Sequence, residues 1–194
     1  MIALPNRDTL ILTGSRDVEN LKLLAQETDA EMRGPRSSCG VPLVLSEGAY
    51  TPFVPQPGDP AYAELKRHYL TMVGTLYHEQ KDILEAMHEK TGEDIFVASY
   101  GSIENNEQER ILSWSSWAPG VLTLLPEADV VALSEPEPER EPGIKPKSFF
   151  PAWRDLKEIA GSLMKPTDLY PVRYKVSEYP GPALLQQLAA RSVM

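Results

Sequence analysis

One cysteine, Cys39, and three histidines are all the thiol and imidazole ligands that this chain of 194 residues offers a transition metal. A single thiol closes no intrachain disulfide and supplies no cysteine-rich zinc site. Long apolar runs are equally scarce. No stretch approaches the roughly 20 residues of a membrane helix, and the opening MIALPNRDTLIL lacks the basic start and long apolar stretch of a secretory leader. Positive charge is short as well, with 19 Lys and Arg against 28 Asp and Glu, a net charge of −9. Neither nucleic acid nor an anionic membrane finds the basic footprint it requires. These absences point to a cytoplasmic protein with no cofactor, whose acidity serves solubility and suits a basic protein partner.

What is present suffices for a folded domain: 42% of residues are hydrophobic and 24% charged. Ala3 to Thr13 reads as extended, with a strand over 9–13. Asp17 caps a helix that runs to about Arg33 and stops at Gly34-Pro35. Val41 to Leu45 and Ala49 to Val54 form a hairpin around Ser46-Glu47-Gly48. Asp59-Pro60 opens a helix that continues to Lys90, roughly 45 Å long. Asp94 to Tyr100 and Arg110 to Trp117 read as paired strands around the turn ENNEQE, and 129–133 as a further strand. Five prolines make 135–147 a solvated loop. A helix (151–164), a strand (172–176) and a helix (182–191) close the chain. The expected fold class is α+β: a mostly antiparallel sheet covered by one long amphipathic helix, with shorter helices beside it. The expected division is a body over 1–134, the loop, and a helix–strand–helix unit over 148–194 docked on the body.

Tyr77-His-Glu-Gln-Lys-Asp82 nearly spells the zinc-protease motif, in which two histidines four residues apart share a metal and a glutamate activates water. Asp82 stands in the second histidine's place. His78, Asp82, Glu85 and Glu89 fall in one stripe of the helix, with Glu79 beside them. The opposite side carries Tyr69, Met72, Val73, Leu76, Ile83 and Met87, which is the face expected to be buried. The stripe is therefore expected to face solvent and to bind no structural metal.

Other segments offer weaker chemistry. Thr13-Gly14-Ser15 lies before a helix N-terminus, where backbone N–H groups can hold an anion. Ser37-Ser38-Cys39-Gly40 contains nucleophiles with no histidine near in sequence. Trp114 and Trp117 sit on opposite faces of one strand, so at least one is a candidate anchor for a partner.

The segments LPNRDTLILTGS, Met87-His-Glu-Lys-Thr-Gly-Glu-Asp94 and Ile95-Phe-Val-Ala-Ser99 together resemble the YtpQ-like bacterial proteins of unknown function, over the first two thirds of the chain. The resemblance implies a bacterial cytosolic α+β protein without the leading region of longer members. It implies no reaction and transfers no site residue.

Two function classes follow. One is a non-catalytic interaction or regulatory module that uses an edge strand, an exposed tryptophan or its acidic surface. The other is a metal-dependent hydrolase built on His78, Asp82 and Glu85. Neither a substrate nor an oligomeric state can be read from the sequence.

Overall fold

The computed structural model describes residues 1–14, 17–105, 110–134 and 148–193. Ser15 and the loop expected over 135–147 lie outside the described residues. The chain is α+β, with four helices and three four-stranded, mostly antiparallel sheets among the described residues. It divides into two units, Met1–Val73 with Glu104–Ile111, and Gly74–Ile103 with Leu112–Met194. The boundary falls inside the long helix, and residues 148–193 lie in the second unit together with 112–134.

In the first unit, strands β1 (Ile2–Asn6) and β2 (Ile11–Leu12), helix α1 (Val18–Met32), and strands β3 (Ser37–Ser46) and β4 (Ala49–Pro52) precede helix α2 (Tyr62–Thr91). The sheet order is β2-β1-β3-β4, antiparallel throughout. Asp17 caps α1 by accepting from the backbone N–H groups of Glu19 and Asn20, which satisfies donors that a helix start leaves without partners. Leu21, Leu24, Ala25 and Thr28 follow at helical spacing and are buried. They meet Ala3 on β1 and Ala61 and Leu65 at the start of α2. Each fully buried leucine contributes about 1.5–3 kcal/mol relative to exposure. The β3–β4 turn uses two left-handed residues, Glu47 (φ 52°) and Gly48 (φ 82°), the requirement of a tight two-residue hairpin.

After α2 come β5 (Phe96–Val97), β6 (Gly101–Asn105), β7 (Arg110–Ser116), β8 (Thr123–Pro126), β9 (Val130–Ser134) and β10 (Ser148–Phe149), all in the second unit except residues 104–105 of β6 and 110–111 of β7. Helix α3 (Trp153–Ala160), β11 (Met164–Pro166), β12 (Arg173–Val176) and helix α4 (Pro182–Ala190) complete it. One sheet runs β10-β9-β7-β6 and the other β11-β12-β8-β5. Their shared core holds Trp117, Leu125, Val131, Trp153, Leu156 and Leu188 among others. Two expectations fail here. Phe96–Val97 pairs in parallel with β8 instead of with β7. The strand beside β7 is β6, and its first residue is a glycine because a Cβ there would lie 2.5 Å from the Trp114 indole nitrogen. Strand β8 itself is absent from the sequence reading. All four of its residues are buried, so it lacks the alternation that marks a half-exposed strand.

The buried face of α2 also differs from the expected one. Ile83 and Met87 are 63% and 52% exposed, whereas Tyr77, Leu84 and His88 are buried. Lys81 lies among them and donates to the Val97 carbonyl at 2.8 Å, while the His88 ring meets the Ile95 carbonyl at 3.2 Å. The true buried stripe is thus one residue, or about 100°, away from the expected one. Its two polar members hid it from a count of apolar positions.

Candidate functional site

The His78 stripe faces solvent as expected. His78 and Asp82 side chains are 76% and 64% exposed, and His78 Nε2 stands 3.7 Å from Asp82 Oδ2. Glu79 and Glu89 are exposed. Glu85 pairs with Lys81 one turn away. Among the described residues no three His, Cys, Asp or Glu side chains gather in a set that could hold a metal. The arrangement is a solvated helix flank carrying local ion pairs, each worth a few tenths of a kcal/mol.

At the Thr13-Gly14 turn, backbone bonding is committed elsewhere. Thr13 N–H donates to the Met1 carbonyl and the terminal amine donates to the Thr13 carbonyl. The donors at the start of α1 are taken by the Asp17 carboxylate, with Glu19 in the first turn. Two carboxylates occupy the place where an anion would gain from the helix dipole.

Of the tryptophans, Trp117 is 2% exposed and packs edge-on against Tyr179, ring centroids 5.9 Å apart. Core packing therefore removes it as a surface anchor. Trp114 is half-buried with its indole over Gly101.

Arg173 was not singled out from the sequence. It is 0% exposed. Its Nε donates to Gln80 Oε1 at 2.5 Å, one terminal nitrogen to the Ala98 and Leu124 carbonyls at 2.7 and 3.0 Å, and the other to the Tyr77 carbonyl at 3.0 Å. Every acceptor is neutral. Desolvation pulls its pKa down to about 10, and it stays charged at neutral pH. The guanidinium joins α2, β8 and β12 and the chain after β5, a structural tie inside the second unit.

The surface that stands out lies in the first unit. Cross-strand pairing places Leu12 opposite Ile2, Ile2 opposite Leu43, and Leu43 opposite Pro52. Directly paired residues share a face, so one apolar rung crosses all four strands. Leu45 and Tyr50 form the next pair. This face looks away from α1, because Ala3 and Ile11, paired with each other, take the α1 side. Leu12 is 68%, Leu45 57% and Tyr50 56% exposed. No charged residue falls on this face within the strands. Strand β4, exposed at all four residues, is one of the two sheet edges, β2 being the other. Scattered exposed leucines are ordinary; this face differs in that its apolar residues are contiguous and uncharged, with Ile2 and Leu43 half-buried between the exposed ones.

Comparison of the chain with family models, with curated proteins and with solved structures finds no match in any of the three.

Proposed function

We propose that the chain is a non-catalytic protein-interaction module that takes an extended, apolar segment with basic flanks from a partner protein. The segment lies along β4 and covers the outer face of the first sheet. The observation that carries this reading is the Leu12–Ile2–Leu43–Pro52 rung with Leu45 and Tyr50 beside it. Pairing with an exposed edge gives main-chain hydrogen bonds, and alternate side chains of the guest meet the apolar face. Tyr50 is the expected anchor, since tyrosine supplies contact area at small entropic cost. Pro52 has no N–H to offer, so the face contributes more than the edge. The net charge of −9 favours basic flanks and speeds their encounter. Likeness to the YtpQ-like proteins names no reaction and is compatible with a binding role.

The test is selection from a displayed library of random extended peptides on the purified chain. The expected winners alternate apolar residues and carry Lys or Arg at their ends, and they lose binding to Leu45→Asp and to Tyr50→Asp. Both positions are exposed, so the variants should melt as the parent does. Retained binding to a Leu45→Asp, Tyr50→Asp double variant would refute the surface assignment.

A further inference from the structure

The second unit carries an exposed strip of its own, on the part of α2 that follows Gly74. Seven-residue steps align Leu76, Ile83 and Lys90, and four-residue steps align Glu79, Ile83 and Met87. At about 100° per residue, the other four lie within roughly 40° of Ile83. Ile83 and Met87 are 63% and 52% exposed. Leu76 is half-buried, and Glu79 and Lys90 are exposed, as is Ala86 at the border of the strip. The stripe of His78, Asp82, Glu85 and Glu89 begins about 100° away from Ile83 and keeps clear of it. Two features of the strip say what covers it. Glu79 and Lys90 close its two ends on the same side with opposite charge, and neither forms an ion pair with a described residue, whereas Lys81 and Glu85 are paired. The point midway between Glu79 and Lys90 falls between Leu84 and Glu85, and Glu85 is itself midway between Ile83 and Met87. The charged ends and the apolar middle therefore share one centre.

We infer that a second copy of the chain covers this strip, forming a two-fold dimer in which the α2 helices run antiparallel. A two-fold contact must be complementary to itself, and the strip meets that requirement in charge and in shape. A two-fold axis at the shared centre brings Glu79 of each copy to Lys90 of the other. The same rotation sets Ile83 against Met87 and Ala86 of the second copy. The small side chain of Ala86 lets the helices approach to the roughly 8–10 Å of ordinary helix packing. A parallel arrangement would instead set Glu79 against Glu79 and Lys90 against Lys90. One strip of about four turns buries less than a standard interface, so association is expected in the micromolar range and the dilute chain is monomeric. The net charge of −9 on each copy opposes encounter at low ionic strength. Physiological salt screens that long-range repulsion more than it screens direct contacts.

The experiment is sedimentation equilibrium of the full chain at about 0.15 M salt, over roughly 5 to 500 µM. A monomer–dimer equilibrium is expected. Ile83→Asp and Met87→Asp should each weaken it at least about a hundredfold, because a two-fold contact counts every substitution twice. Both positions are exposed, so circular dichroism should show the parent fold. Charge reversal tests the geometry. Glu79→Lys alone, or Lys90→Glu alone, sets like charges together at both ends, and each should lose about tenfold or more. Mixed in equal amounts, the two single variants regain both opposite-charge pairs, and their heterodimer should form about as tightly as the parent dimer. A chain that stays monomeric throughout would overturn the inference, including one that takes a basic amphipathic helix on this strip instead. So would assembly beyond the dimer, a dimer that survives Ile83→Asp combined with Met87→Asp, or a mixture that associates no more tightly than its components.

Discussion

The Arg173 guanidinium lies over the ring of Tyr77, 5.1 Å from its centroid, and donates to the backbone carbonyl of the same residue. The Tyr77 hydroxyl in turn donates to the Val172 carbonyl at 2.8 Å and accepts from the Glu127 N–H at 3.1 Å. Helix α2, strand β12 and the end of β8 are thus joined by two side chains that satisfy each other's surroundings. A buried guanidinium without a carboxylate is tolerated because carbonyl and amide oxygens engage four of its five N–H groups.

Replacing Arg173 with alanine or lysine should therefore be costly. Alanine removes a donor from three backbone carbonyls, of which Leu124 keeps the Ala98 N–H, and lysine, a point charge with three donors on a flexible stem, cannot reach the same acceptors from one plane. The expected loss is roughly 3–5 kcal/mol for Arg173→Ala, with Arg173→Lys recovering only a small part. Urea unfolding followed by tryptophan fluorescence measures both. A loss below about 1 kcal/mol for Arg173→Ala would show that water replaces the guanidinium at little cost.

Tyr77 makes stability depend on alkaline pH. Burial pushes its pKa up to about 12 from an ordinary 10. Between those values the unfolded chain has lost a proton that the folded chain retains, so stability is complete below pH 10 and is lost as pH rises through 12. Two pKa units correspond to at most about 2.7 kcal/mol. Tyr77→Phe should flatten this limb of the profile relative to the parent, when unfolding midpoints are compared between pH 9 and 11.5. Equal slopes in the two proteins would show that Tyr77 does not titrate late.

The faces of α2 separate by mutation. Leu84, at 7% exposure, packs with Val97 and Leu124, and Leu84→Ala should cost roughly 2–5 kcal/mol. Ile83→Ala and Met87→Ala should each cost under about 1 kcal/mol, and His78→Ala less than half of that. Thermal melts of the four variants decide it. If Ile83→Ala matched Leu84→Ala, the face expected from the sequence would be the buried one after all.

That helix shows how much of the fold was legible. The turn that leads into it, where the Asp59 carboxylate accepts from the Ala61 N–H at 2.8 Å, follows from local chemistry that a sequence displays, although the helix itself begins at Tyr62. So do the Asp17 cap and the turn at Glu47-Gly48. The α+β class and the solvent-facing His78 stripe followed from hydrophobic pattern. What stayed hidden depends on tertiary partners. Lys81 is half-buried and His88 buried because carbonyls of the 95–97 segment receive them. Strand β8 carries no alternation because both its faces are covered. The parallel pairing of β5 with β8 joins segments more than twenty residues apart. The outer-face rung could not be read either, since it exists only once four strands are in register.

Gly40 and His68 offer the last test, of the contact that packs α2 on β3. Gly40 is buried, and its φ is not in the left-handed region, so glycine is required there by space rather than by backbone conformation. A methyl group at position 40 would stand 2.6 Å from His68 Nδ1 and 2.7 Å from Cγ. The imidazole is a rigid ring on a helix, so relief requires a rotamer change or a shift of α2, and such overpacking typically costs about 1–3 kcal/mol. Gly40→Ala should destabilise by that amount. In the Gly40→Ala, His68→Ala double variant most of the cost should vanish, because the clashing ring is gone, leaving a coupling energy of at least about 1 kcal/mol between the two sites. Urea midpoints of the four proteins of the cycle measure it. Additive losses would mean that β3 and α2 do not meet at Gly40 and His68.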